Sequence, residues 1–189
     1  MLESFRLPFN FDPVPLQADL AGLSASDWVP HFNTRYYEGA WSAAALRSVG
    51  GRTGQIYPDP AAKEPFADTP LIARCPHVGA LLHGFACPLQ SVRFLKLAAG
   101  SRIREHRDLN LGYEDGELRL HIPVHTNAQV EFYLNNRLLT LHEGECWYLN
   151  FNLPHRVVNG GADDRIHLVL DCVLNDWLRE QFAAVAAWA

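Results

Sequence analysis

The sequence predicts a mainly β protein, a cupin-like double-sheet jelly roll flanked by N- and C-terminal helices. Two observations predict it. From Ser91 onward, short runs of strand-forming residues follow in quick succession, separated by turn residues. Residues of metal-ligand type, His106 and Asp108 between two of those runs and His155 at the start of another, are ones the mouth of a barrel would gather. The whole chain, 1–189, is expected to form a single domain. Within it, 1–90 would be a helical and irregular lead-in packed on the barrel, 91–171 the jelly-roll core, and 172–189 a C-terminal helix.

Pro8, Pro13, Pro15 and Pro30 predict irregular structure over the first 30 residues, with one short helix near Leu16–Leu23. Trp41–Arg47 reads as a short helix or a strand, ended by Gly50-Gly51, and 52–70 as a long surface loop rich in Pro, Gly and Asp. Pro76–Gly84 reads as a helix with Pro in its first turn and Gly at its end. Strands are expected at 91–97, 118–125, 129–134, 137–142, 145–151, 155–158 and 165–171. In the second of these Leu118, Leu120, Ile122 and Val124 alternate with Arg119, His121, Pro123 and His125, an unusually polar set for an exposed strand. Asn135-Asn136 predicts a tight hairpin turn, since Asn tolerates positive φ. Asn159–Asp164 is a second turn; pairing Val157 with Arg165 across it would put His155, Arg165 and His167 on one face. The last helix would start at Asn175 as N-cap and present Trp177, Leu178, Phe182 and Val185.

Composition narrows the function classes. With 48% hydrophobic and 20% charged residues, the chain can bury a sizeable core. A net charge of −5 without a basic run argues against nucleic acid or an anionic membrane as partner. No apolar stretch approaches membrane-spanning length, and the N-terminus lacks the basic-then-apolar order of a secretion signal, so a cytoplasmic location is expected. Cys75, Cys87, Cys146 and Cys172 are scattered without CxxC spacing and read as reduced thiols, a Cys75–Cys87 disulfide being the alternative.

His106-x-Asp108 with the distant His155 is the donor set of the two-histidine, one-carboxylate triad, which holds Fe(II) on one face and leaves the opposite positions open for a co-substrate and oxygen. Arg165, ten residues after His155, opens an apolar strand and would clamp the far carboxylate of a 2-oxoglutarate that chelates the iron. Each residue has a plainer reading. His106 and Asp108 could form a solvated turn among Arg102, Arg104, Glu105 and Arg107. Arg165 could pair at the surface with Asp163, Asp164 or Glu180. His121 is a core residue or a ligand contact; His125, His142 and His167 read as structural or solvent-facing, and Trp147 and Trp177 as core. Arg35, Tyr37, Trp41 and Arg47 could line a substrate mouth, although no spacing shows it.

The run from Arg93 to Asp171 resembles the aspartyl/asparaginyl β-hydroxylase family, relatives of which include small bacterial proline hydroxylases. The resemblance rests on His106-Arg-Asp108, Gly116–Val124, Gly144-Glu-Cys-Trp147, Pro154-His155, Asn159 and Arg165–Asp171. It implies a double-stranded β-helix, Fe(II) at His106, Asp108 and His155, and 2-oxoglutarate anchored by Arg165, with His121 and Arg119 facing the co-substrate or substrate. It further implies hydroxylation of an amino acid, free or peptide-borne, using molecular oxygen and yielding succinate. The animal enzyme of the family lacks the metal-binding carboxylate and uses an upstream Ser; here Asp108 is present and the matching stretch reads Phe94-Leu95-Lys96. The chain also stops soon after the last strand, where longer proline hydroxylases carry a further domain, so free proline is not implied. The alternative is a cupin-type isomerase or ligand-binding module, echoed by Gly100-x5-His106 and His155-x3-Asn159. It would want a second His in place of Asp108 and a Glu shortly after, a position that Glu114 and Glu117 fit poorly.

Overall fold

The computed structural model describes residues 2–57, 61 and 63–186, with no side-chain description at 185 and 186. In chain order the elements are β1 (Ser4–Asn10), α1 (Pro13–Ala21), β2 (Val29–Pro30), β3 (Tyr37–Glu38), β4 (Trp41–Val49), β5 (Phe66–Asp68) and α2 (Pro76–Leu82). They continue with β6 (Leu89–Leu97), β7 (Arg102–His106), β8 (Glu117–His125), β9 (Val130–Leu134), β10 (Arg137–Leu139), β11 (Glu145–Leu149), β12 (His155–Asn159), β13 (Arg165–Val173) and α3 (Asp176–Ala186). Two sheets form: a larger one in the order β1-β11-β8-β13-β6-β4-β2 with β5 on β4, and a smaller one, β10-β9-β12-β7-β3. This is the expected double-sheet jelly roll.

The alternation read in β8 holds, but both of its faces are buried. Leu118, Leu120, Ile122 and Val124 join Leu168 and Leu170 of β13 and Phe94 of β6 in an apolar layer. Leu16 and Leu20 of α1, Val78 of α2, and Leu178 and Phe182 of α3 cover it. Fully burying such a side chain contributes roughly 1.5–3 kcal/mol, so this face secures the large sheet. The other face, with Arg119 and His121, looks toward the small sheet. It is therefore enclosed rather than solvent-exposed, which is why its polar residues need partners.

Several expectations are corrected. The pairing of Val157 with Arg165 does not occur: β12 pairs with β7 and β9 in the small sheet, whereas β13 pairs with β6 and β8 in the large one. The 159–164 turn carries the chain from one sheet to the other, the crossing a jelly roll requires. Residues 1–90 are not a helical lead-in: β1 and β4 are strands of the large sheet, so the β core extends well beyond 91–171. Trp41–Arg47 is strand, and the expected loop 52–70 contains β5, with 58–60 and 62 outside the described residues. Helix α1 begins earlier than expected, capped by Asp12, whose side chain accepts from the Val14 N–H.

Local chemistry fixes the turns. Asn135 and Asn136 have φ of 48° and 62°, the left-handed pair that a two-residue hairpin demands, and Leu134 pairs with Arg137 across them. Gly144 has φ +81°, and a Cβ there would overlap the Phe11 carbonyl oxygen. Asn175 caps α3 by accepting from the Leu178 N–H. All four cysteines are free and buried, so Cys75 and Cys87 are not joined; the Cys87 thiol instead makes a hydrogen bond with Cys172. No helix among the described residues is long and apolar enough to cross a membrane.

Candidate active site

Strand register brings the site together. His155 on β12 lies directly opposite His106 on β7. A register shift between His155 and Val157 turns both His106 and Ile103 inward, although they are three residues apart. The ring centroids of His106 and His155 are 4.2 Å apart. Asp108, just past the end of β7, is held by its N–H donating to the Phe151 carbonyl at 2.9 Å. One donor atom from each of His106, Asp108 and His155 lies within 4.8 Å of the others. The solvated-turn reading of this segment therefore fails for His106 and Asp108.

Each imidazole is pre-set to bind through Nε2. His106 Nδ1 lies 2.8 Å from the Arg104 carbonyl, and His155 Nδ1 lies 3.0 Å from that of Leu153. A carbonyl only accepts, so both Nδ1 atoms carry the proton and both Nε2 atoms keep a lone pair. Burial, and then the neighbouring His106, push His155 down to about 4, which keeps it neutral and ready to ligate.

Asp108 is oriented from behind. Arg119 donates to its Oδ2 at 2.6 Å, leaving Oδ1 on the side of His106 Nε2, 3.8 Å away. Arg119 is itself fixed by Asp171, its neighbour across β8 and β13, through Nε at 2.7 Å and Nη2 at 3.1 Å. Arg93 on β6 donates to the same carboxylate at 2.9 Å and to the Ser91 hydroxyl. Burial would raise the Asp171 carboxyl, but Arg119 and Arg93 outweigh it and hold it at about 2. Burial would likewise raise Asp108, yet the charge of Arg119 keeps it below the usual carboxylate range. Arg119 thus stands behind Asp108, its guanidinium committed to two carboxylates.

Arg165 lies on the cavity floor, 2% exposed, over the Phe132 ring. Among the described residues no carboxylate pairs with it, which rules out the surface ion pair. Its Nε has no partner, and Nη2 donates to His167 Nδ1 at 2.8 Å. Burial alone pushes it down to about 9. His121 lines the same cavity, stacked on Phe151. His167, which the sequence placed among structural residues, is buried between Arg165 and His121.

The cavity holds about 430 Å³. Its mouth is aromatic: His31 stacks on Trp41 at 3.6 Å and on Phe32 at 4.7 Å, and Tyr36 stacks on His106 at 4.8 Å. Trp41 was among the candidates for a substrate mouth and does line it. Arg35, Tyr37 and Arg47 do not, Arg47 being bonded to Asp68. Arg93, Asp171 and the His31–Phe32–Tyr36 wall escaped sequence reasoning. Asp171 carried one signal, a carboxylate two residues from the end of an apolar strand, where an acid needs a buried cation.

A profile of the family described as aspartyl/asparaginyl beta-hydroxylase matches residues 16–174. The L-proline cis-4-hydroxylase of Rhizobium meliloti (strain 1021) is 27% identical over 169 residues, covering 86% of this chain and 58% of that enzyme; the chain thus spans less than two thirds of that relative's length. Two solved structures share the fold. A 2OG-Fe(II) oxygenase-family oxidoreductase from Burkholderia pseudomallei is 15% identical at TM-score 0.56, covering 90% of this chain and 85% of its own. A Pseudomonas putida prolyl-4-hydroxylase is 12% identical at TM-score 0.54, covering 93% and 94%. With the profile spanning most of its length, this chain belongs to the aspartyl/asparaginyl β-hydroxylase family.

Proposed function

We propose that the protein is an Fe(II)- and 2-oxoglutarate-dependent dioxygenase that hydroxylates an amino acid, free or peptide-borne. The observation that carries this reading is Arg165, a buried guanidinium without a counter-charge among the described residues, at the foot of a cavity that also holds a His-Asp-His cluster. An unpaired buried charge costs several kcal/mol, and a fold that keeps one provides for an anion. A cupin-type isomerase has no use for that cation, and neither Glu114 nor Glu117 enters the cluster.

The residues fit the implied groups. Two free Nε2 lone pairs and one carboxylate oxygen are the donors Fe(II) takes from a protein in this class, so His106, Asp108 and His155 would hold it. Arg165, with an unused Nε–H, would receive the far carboxylate of 2-oxoglutarate, and His121 would contact it. When bound, these groups supply the oxidation: molecular oxygen is consumed, 2-oxoglutarate loses carbon dioxide to become succinate, and one oxygen atom enters a substrate C–H bond. The chain's own part is positioning and shielding. Arg119 turns one oxygen of Asp108 toward the ligand cluster while Asp171 holds Arg119 in place. Trp41, His31, Phe32 and Tyr36 line the mouth and would offer an aromatic wall to an aliphatic substrate. The relation to L-proline cis-4-hydroxylase supports an amino acid as substrate.

The test is succinate release from 2-oxoglutarate by the iron-loaded protein across a panel of free amino acids and short peptides. We expect amino-acid-dependent succinate that disappears in Arg165→Ala. Turnover unaffected by that change would reject the assignment of Arg165.

A further inference from the structure

Arg165 and His121 on the cavity floor both bond to a single lone pair of His167, buried behind them. His167 Nδ1 lies 2.8 Å from Arg165 Nη2 and 3.1 Å from His121 Nδ1. A guanidinium can only donate, so His167 Nδ1 is an acceptor and its ring proton sits on Nε2. The bond to His121 then requires a proton on His121 Nδ1. The tautomer of His121 follows: its Nε2 is a bare lone pair, buried and without a partner.

Among the described residues, no free anion surrounds His121. Facing it are Arg119 from its own strand, Arg165 and His167 from β13, Arg93 from β6 and His155 from β12, with Phe151 and Phe132 against the ring. The buried acids of the site, Asp171 and Asp108, are bonded to Arg93 and Arg119. Burial, and then the charges of Arg165, Arg119 and Arg93, therefore keep His121 neutral, well below the ordinary imidazole range. A carboxylate arriving at Arg165 changes this balance. Its oxygen would repel the bare Nε2 lone pair but accept from a protonated one. His121 would then donate in both directions, through Nδ1 to His167 and through Nε2 to the ligand.

We propose that the far carboxylate of the co-substrate settles on this floor together with one proton, taken from solvent onto His121 Nε2. In the same proposal His167 is the positioning residue that makes His121 the acceptor, by fixing its tautomer and holding Arg165. The inference rests on reading the floor as the 2-oxoglutarate site. It adds a proton to that binding step and a role for a residue the sequence did not single out. Both carboxyls of 2-oxoglutarate are ionised near neutral pH, so the proton cannot come from the ligand.

The experiment is anaerobic calorimetric titration of 2-oxoglutarate into the native Fe(II)-loaded protein near pH 7.5, in two buffers of different ionisation heat. The expected result is an uptake approaching one proton per ligand bound. Affinity should fall towards tenfold per pH unit between pH 6.5 and 8, the slope that linkage demands for one proton gained on binding. His121→Asn should bind more weakly with no uptake and a flat pH profile. His167→Leu should lose both uptake and affinity, whereas His167→Asn, which keeps an acceptor near the Nδ1 position, should recover part of each. Tight binding by the native protein without proton uptake would overturn the inference and leave the co-substrate site standing. Iron binding with no 2-oxoglutarate binding in either buffer would overturn both.

Discussion

Asp171 is the pivot of the buried charge network, and its replacement by Asn makes the sharpest stability prediction. The carboxylate is 0% exposed and accepts three N–H groups, from Arg93 Nη1 at 2.9 Å and from Arg119 Nε and Nη2 at 2.7 and 3.1 Å. Asn keeps the shape but removes the charge and turns an N–H toward one of the guanidinium groups. Two arginines, 4% and 9% exposed, would then share only Asp108 as counter-charge. Removing one partner from a buried ion pair costs about 3–5 kcal/mol, because the other charge stays buried and uncompensated. For a chain of this size that corresponds to a fall of about 6–20 °C in Tm. The assay is chemical and thermal unfolding of the metal-free protein. Adding Arg93→Met to Asp171→Asn should restore part of the loss, since it removes the orphaned cation. A loss below about 1 kcal/mol, or a double variant no better than the single one, would show that the network does not behave as a coupled unit.

Other consequences follow from the same geometry. Arg119→Met should weaken Fe(II) binding about 10–100-fold in a chelator competition, because Asp108 loses the group that orients it; unchanged affinity would mean Asp108 is held by its backbone alone. Gly144→Ala should destabilise the fold by about 1–3 kcal/mol, as its left-handed φ and the Phe11 carbonyl leave no room for a Cβ, while Fe(II) affinity stays unchanged. Stability of the metal-free protein should decline with acid in two windows. His121 and His167 titrate far lower folded than unfolded, so the stability they contribute is full above pH 6.5 and falls below it, by up to about 1.4 kcal/mol per pH unit for each ring. Asp171, held at about 2 when folded, contributes stability above pH 4 that is lost as pH falls toward 2. A stability curve flat from pH 7 to 5 would show that these rings are not buried in neutral form.

The ligand pattern was legible because it is short-range. His106-x-Asp108 fixes two donors within one stretch of chain, and His155 with Arg165 marks the start of two later strands. The alternation in β8 was legible too, since period two decides which residues share a face. What lies across from a face is a long-range fact that no local spacing carries. The 155–158 and 165–171 strands looked like a hairpin, yet the turn between them passes from sheet to sheet. Arg119 was legible as part of the polar face and lines the cavity, but its partners, from β13 and from the segment after β7, were not legible. Pro8 made the first residues look irregular, whereas β1 is an edge strand with a register break between Arg6 and Asn10, where a missing N–H is tolerated. Trp41–Arg47 is strand because Ala43, Ala44 and Ala45 are enclosed on both faces, a tertiary effect that outweighs the helix preference of Ala.

The proposed function requires that the His106, Asp108 and His155 cluster hold iron and that Arg165 anchor 2-oxoglutarate beside it. Anaerobic addition of 2-oxoglutarate to the Fe(II)-loaded protein, followed by visible absorbance, tests both halves at once. A metal-to-ligand charge-transfer band should grow in with 2-oxoglutarate and be lost, or need far more ligand, in Arg165→Ala. Iron bound without any band, or a band equally strong and equally tight in Arg165→Ala, would contradict the assignment.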